Sequence, residues 1–141
     1  MYRLSRDGPQ INTYHNLCDN KGATLNLFFL KMGNIVGFFA NDSIDSVSGW
    51  KSDDKCFIFN LSKKMRYKQK NNNRYSFYCK NNCGPSASGL GCNRDETLNY
   101  IFHSANAIDN YFIDSPSKLL QSNGVEKRYE VEETEIFQIK L

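Results

Sequence analysis

Hydrophobic positions recur with two different periods along this chain. Between residues 10 and 19, Ile11, Tyr14, His15, Leu17 and Cys18 fall at near-helical spacing, which predicts a short amphipathic helix with one face on a core. Ser5-Arg6-Asp7-Gly8-Pro9 before it is turn chemistry. Pro9 suits a first helical position and Asp7 a capping role. Gly22 stops the helix. Downstream the period falls to two. Residues 24–31 and 34–40 flank Met32-Gly33 as a hairpin. Residues 56–61 are apolar almost throughout and read as a strand covered on both faces. Residues 64–70 and 74–80 are predicted as two strands joined through Asn71-Asn72-Asn73. Residues 81–96 read as a Gly- and Asn-rich loop, 97–102 as a strand, 109–124 as irregular chain and 129–141 as a long closing strand.

One helix and seven or eight strands, with no alternation of strand and helix, predict a mainly β fold. The expectation is a two-sheet antiparallel β-sandwich with one or more short flanking helices. The closing strand carries an anomaly. Tyr129 and Val131 share a face, as do Phe137 and Ile139, and strict alternation would put Glu133 and Glu135 on that same face. Either a bulge near Glu133 shifts the register, or a carboxylate turns inward and needs a partner such as Arg6.

Composition fits this picture. The chain has 141 residues and 40% hydrophobic content, with 10 Phe and 8 Tyr. That is enough for one domain with a core of its own and excludes a disordered tail. No run of 18 apolar residues exists, which excludes a membrane-spanning helix, and the first eight residues lack the apolar stretch of a signal peptide. Five cysteines, an odd number, argue against a disulfide framework and for a reduced, intracellular and cytoplasmic setting. Asn41-Asp42-Ser43 and Asn60-Leu61-Ser62 match the glycosylation pattern, which has no meaning without secretion.

Net charge is only +3, but it is unevenly spread. Residues 51–80 hold nine Lys or Arg against Asp53 and Asp54, whereas residues 126–141 hold five Glu against three cations. Lys64, Arg66, Lys68 and Lys70 alternate with Met65, Tyr67 and Gln69, the pattern of a strand with one solvated face. The alternative use of residues 63–74 is binding of nucleic acid or an acidic partner. No helix-turn-helix, zinc-finger or RRM signature supports nucleic acid.

Four groups of residues could carry chemistry. Cys79, Cys83, Cys92 and His103 have the ligand number of a zinc site but not a C-x2-C spacing, and Cys79 follows a strand pattern that places it in the core. His15 and Cys18, three apart on the helix, could form a thiolate–imidazole pair. Together with Cys83 and Cys92, read as loop thiols, they make a thiol-dependent antioxidant or hydrolase the rival to a binding function. His103 is expected to be an exposed or a strand-end residue. The segment from Gly84 to Gly91 lacks the Lys-Ser/Thr of a phosphate loop, and no helix follows it. Its glycines serve either tight backbone geometry or a close-approach surface for a partner. Ser5, Arg6, Asp7 and Gly8 divide in the same way between structure and contact.

These motifs fall into one order. Ser5-Arg6-Asp7-Gly8 precedes a helix with Tyr14-His15-x-x-Cys18. Lys21-Gly22-x-Thr24-Leu25, Gly33-Asn34-x-x-Gly37, Gly49-Trp50-Lys51-Ser52-Asp53 and Cys56-Phe57-Ile58-Phe59 follow, and the series ends with the loop after Tyr78-Cys79 and with Glu135-Ile136-Phe137. The whole chain resembles the TLDc domain of the eukaryotic oxidation-resistance proteins, especially its Asn-rich copies in protists. The resemblance implies a two-sheet β-sandwich with short helices and a non-enzymatic protein-interaction role in oxidative-stress resistance. It also implies binding to the vacuolar proton-pumping ATPase in several members, with no cofactor. By motif, Ser5, Arg6, Asp7 and Gly8 match the family's loop after its first strand. Gly84, Gly89 and Gly91 fall in its glycine-rich loop, and Glu135 matches its C-terminal acidic position. Two departures stand out: Gly-Leu-Gly-Cys-Asn-Arg-Asp replaces a denser glycine run, and the chain begins where members have a helix and the start of a strand. A single domain over 1–141 lacking that N-terminal piece is the expectation.

Overall fold

Residues 1–71, 73–92, 97–104, 107, 111–112, 119–120 and 127–140 are described in a computed structural model. The helical period becomes α2 (Ile11–Cys18), preceded by a single turn, α1 (Leu4–Asp7). The period-two stretches become β1 (Tyr2–Arg3), β2 (Thr24–Leu30), β3 (Ile35–Ala40), β4 (Gly49–Lys51), β5 (Phe57–Asn60), β6 (Met65–Lys68), β7 (Phe77–Cys79), β8 (Ser86–Ala87), β9 (Leu90–Gly91), β10 (Tyr100–His103) and β11 (Lys127–Gln138).

All pairings are antiparallel and form one ladder, β4-β7-β8-β9-β10-β11-β2-β3-β5-β6, with β1 added beside β11. The mainly β, antiparallel class read from the sequence is therefore what the chain adopts. What differs is the join. β11 is long enough to belong to both arms: Lys127–Glu130 pair with β10, and the stretch from Val131 to Gln138 pairs with β2. The expected two sheets are thus two arms of one curled sheet. Both arms feed one core: Phe28, Phe38, Ile58 and Tyr67 from one side and Phe77, Ala87, Leu90 and Ile101 from the other. Burying each of the larger side chains contributes roughly 1.5–3 kcal/mol. From α2, Tyr14 and Cys18 join the same cluster.

The anomaly in the closing strand is a bulge. Register with β2 shifts between Val131 and Glu133, and the inward set changes from Tyr129 and Val131 to Thr134 and Ile136. One extra residue moves every later side chain to the other face. Ile136 therefore enters the core while Phe137 stays 40% exposed. Glu133 does not reach Arg6; its Oε1 accepts the Ser5 N–H at 3.0 Å and the Thr134 N–H at 3.1 Å.

Three further expectations are corrected. The predicted hairpin of residues 64–70 and 74–80 does not form, because β6 pairs with β5 and β7 pairs with β4 and β8. The actual turn is Leu61–Lys64, where Lys64 N–H donates to Leu61 O and Lys63 N–H to Asn60 Oδ1. Asp7 does not cap α2, whose N-cap Gln10 makes no side-chain bond, and Pro9 lies outside the helix; Asp7 Oδ2 instead accepts the Arg3 N–H at the start of α1. Residues 81–96 are not simply loop, since β8 and β9 form a hairpin there. The predicted irregular segment 109–124 lies almost wholly outside the described residues.

A buried aspartate ties the two arms. Asp53 follows β4 and is 5% exposed. Its carboxylate accepts N–H groups from Asn41 (2.6 Å) and Asp42 (2.9 Å), just beyond β3, and from Lys55 (3.1 Å). Its own N–H donates to Ser76 Oγ at 2.9 Å. Only a carboxylate of this length supplies several acceptors at one buried point.

Candidate functional site

The N-terminal motif is built as one corner against β11. Gly8 closes α1 at φ +85°, a conformation that favours glycine, and donates to Leu4 O at 2.9 Å. Tyr2 Oη donates to Gly8 O at 2.7 Å. Arg6 grips Asp7 with two bonds, Nε to Oδ1 at 2.9 Å and a terminal nitrogen to Oδ2 at 2.8 Å, and also reaches Met1 O. This guanidinium, with the Arg3 N–H, holds the Asp7 carboxyl down at about 2. Glu135 faces Arg3 at 3.1 Å. Ser5, Arg6, Asp7, Gly8 and Glu135 are therefore brought together. The cleft between Arg3, Arg6, Glu135 and Phe137 measures about 40 Å³, room for a water or two rather than a metabolite.

The glycine segment is placed elsewhere, in the middle of the ladder between β7 and β10. Residues 83–92 are all buried. Gly91 (φ +148°) has no space for a side chain: a Cβ there would lie 2.4 Å from Pro85 O and from Ser86 Cα. At Gly84 a Cβ would lie 2.8 Å from Cys92 Cβ. Gly89 turns the hairpin at φ +82°, and its carbonyl accepts the Ser104 N–H at 2.8 Å. These glycines serve tight backbone geometry and present no surface to a partner.

Pro9 and α2 tie the corner to the segments flanking the hairpin. Leu98 N–H donates to Pro9 O at 3.0 Å. The His15 ring spans from Asp19 Oδ1 at Nδ1 (2.7 Å) to the Cys83 carbonyl at Nε2 (2.9 Å), and Ser46 Oγ donates to the second Asp19 oxygen.

The profile of the TLDc domain family matches residues 1–140. The chain belongs to the TLDc domain family. No curated protein sequence matched it.

Within this TLDc fold His15 and the thiols are tied up or enclosed. With both ring nitrogens engaged by oxygens, His15 has none left to activate Cys18. All five cysteines are buried and none is in a disulfide. Cys83 and Cys92, expected as loop thiols, are 5% and 1% exposed because the hairpin folds into the ladder. Burial pushes the Cys18 thiol up to about 12 and the Cys79 thiol to about 11, and raises that of Cys56 as well. Of the two readings of His103, the strand end holds and exposure does not: it is the last residue of β10 and fully buried, with its ring edge-on to Tyr129 at 6.4 Å. Among the described residues no cluster of three or more His, Cys, Asp or Glu is placed to hold a metal, so Cys79, Cys83, Cys92 and His103 do not form a zinc site.

In the basic stretch, Arg66 and Lys68 are exposed while Tyr67 is buried, the solvated-face alternation. Arg66 lies over the Phe57 ring at 4.9 Å. The sequence reading overlooked the exposed aromatics beside that stretch. Trp50, the chain's one tryptophan, is 45% exposed and Tyr75 43%. The available signal was Trp50 on a short strand, followed by tyrosines at positions 75 and 78.

Proposed function

We propose that this TLDc domain is a non-enzymatic protein-docking module that serves oxidative-stress resistance by engaging the vacuolar proton-pumping ATPase from the cytoplasmic side. Family membership over 1–140 is the observation that carries the reading. It is supported by the way the candidate reactive groups are spent on structure. His15 is bound at both nitrogens, the thiols are buried, and the glycine segment is packed among strands. Absence of a membrane-length apolar helix among the described residues fits a domain recruited to a pump rather than threaded beside it.

The test is co-purification. A tagged chain expressed in cells recovers pump subunits under mild detergent, and Cys83→Ser and Cys92→Ser variants that still fold recover them equally. Failure to recover any pump subunit, or peroxide consumption by the purified chain that either cysteine change abolishes, would overturn the reading.

A further inference from the structure

At one end of the ladder, β4 has a single hydrogen-bonded neighbour among the described residues, β7. Trp50 on β4 stands directly opposite Tyr78 on β7, with ring centroids 5.0 Å apart. Trp50 also meets Tyr75 at 5.6 Å, and Tyr75 meets Tyr111 at 5.5 Å. Four aromatic rings thus form a continuous strip, with Val47, 76% exposed, at the same sheet end. Exposed aromatic area of this kind marks an interaction site, and Trp and Tyr are the residues that dominate such sites.

The rim of the strip is predominantly cationic. Lys80 donates to Val47 O at 3.1 Å, Arg74 is exposed beside Tyr75, and the Lys70 N–H is held by Tyr111 O at 2.8 Å. None of these three cations pairs with a carboxylate among the described residues. Asp42 and Asp45 are engaged with Lys51 instead. Beside Lys70 a hollow of about 240 Å³ opens, lined by Ser52, Gln69, Asn71, Asn73 and one acid, Asp54.

The geometry points to an acidic, extended segment of a partner protein as the occupant, with bulky apolar side chains between its carboxylates. Charge complementarity selects the acid. The rings select peptide over single-stranded nucleic acid: neighbours cross at 66°, 84° and 62°, so no two adjacent faces lie parallel to take successive stacked bases. Ridges between crossed rings suit interdigitating side chains, and a ladder-end strand suits an added strand. This refines the docking reading and rests on it.

Trp50 makes the test direct, since all tryptophan emission comes from the proposed surface. The probe is a labelled peptide of about twelve residues alternating Glu and Phe, titrated at low salt, with labelled oligo-uridine of similar length as the competing class. Expected are a saturable change in Trp50 emission with the peptide, weakening as salt rises, and at least tenfold weaker binding by fluorescence anisotropy in Trp50→Ala and in the double variant Arg74→Glu/Lys80→Glu. Circular dichroism should show both variants folded at the assay temperature; Trp50→Ala gives up its ring contacts with Tyr75 and Tyr78 and melts somewhat lower. Oligo-uridine binding as tightly as the peptide, or peptide binding unaffected by both variants, or no peptide binding at all, overturns the proposal. If the peptide fails while pump recovery persists in both variants, only this surface falls. If the peptide binds but no pump subunit is recovered, the pump reading falls and the surface stands.

Discussion

Replacing Gly91 by alanine is the sharpest perturbation of the glycine hairpin. The added Cβ would sit 2.4 Å from Pro85 O, 2.4 Å from Ser86 Cα and 2.9 Å from Ser86 Cβ. Two of these are backbone atoms of the paired strand, so no flexible side chain can swing away. Gly91 is held from both sides, by Ser86 on β8 and Phe102 on β10, which blocks relief by a local shift. Its φ of +148° adds strain for any L side chain. Backbone strain of this type costs roughly 1–3 kcal/mol, and forcing atoms into filled space costs about 1–3 kcal/mol more. The sum, about 2–6 kcal/mol, is a large part of the roughly 5–15 kcal/mol stability of a typical domain. At about 3 °C per kcal/mol for this size, the melting temperature falls by roughly 6–18 °C. Gly22→Ala is the control: its φ is +78°, but nothing lies within 4 Å of the added Cβ, so strain alone applies, about 1 kcal/mol. Thermal melts followed by circular dichroism decide the matter. If Gly91→Ala melts within about 2 °C of Gly22→Ala, the packing argument for the hairpin is wrong.

Three other outcomes follow from the same structure. Thr134 is fully buried and its hydroxyl has no partner among the described residues. Thr134→Val should therefore raise the urea midpoint, by about 1 kcal/mol of stability; a lower midpoint would mean that the hydroxyl is bonded. Asp7 is held at about 2 by Arg6 and the Arg3 N–H. Asp45 is also lowered: burial opposes this, but the Ser48 hydroxyl and N–H, the Val47 N–H and Lys51 prevail. Depressed carboxyls stabilise above their ordinary value near 3.8 and lose that contribution as pH falls toward 2. Wild type should thus lose stability between pH 4.5 and 2.5 more steeply than Asp7→Asn, and identical slopes in urea titrations would refute the pairing. With all five thiols buried, a thiol reagent at pH 8 should label fewer than one cysteine rapidly in the native protein and all five after denaturation. Fast labelling of two would favour the thiol-enzyme reading.

Much of the fold is legible in the residue pattern because one-sided burial writes itself as periodicity. The helix over Ile11–Cys18 and the hairpin through Met32-Gly33 are visible that way, and the break in alternation at Glu133 and Glu135 offers the bulge as one of two readings. Partner choice was not. Residues 64–80 hold two strands with the right alternation, yet β6 and β7 end on different arms, since alternation sets a face and says nothing about which strand lies alongside. The hairpin within residues 81–96 was hidden for another reason: two-residue strands are too short to show a period, and small residues packed among strands look like loop. Cys83 and Cys92 share that fault and read as exposed loop thiols. At the candidate corner, the grip of Arg6 on Asp7 departs from the capping role read for Asp7. The bond from Ser5 N–H to Glu133 spans 128 positions and has no local signature.

Direct binding of the purified chain to the purified vacuolar ATPase tests the central claim. Biolayer interferometry with the pump immobilised should give saturable binding that Cys83→Ser and Cys92→Ser, once shown to be folded, leave unchanged. No binding up to about 100 μM, a level corresponding to only about 5.5 kcal/mol of affinity, would contradict it.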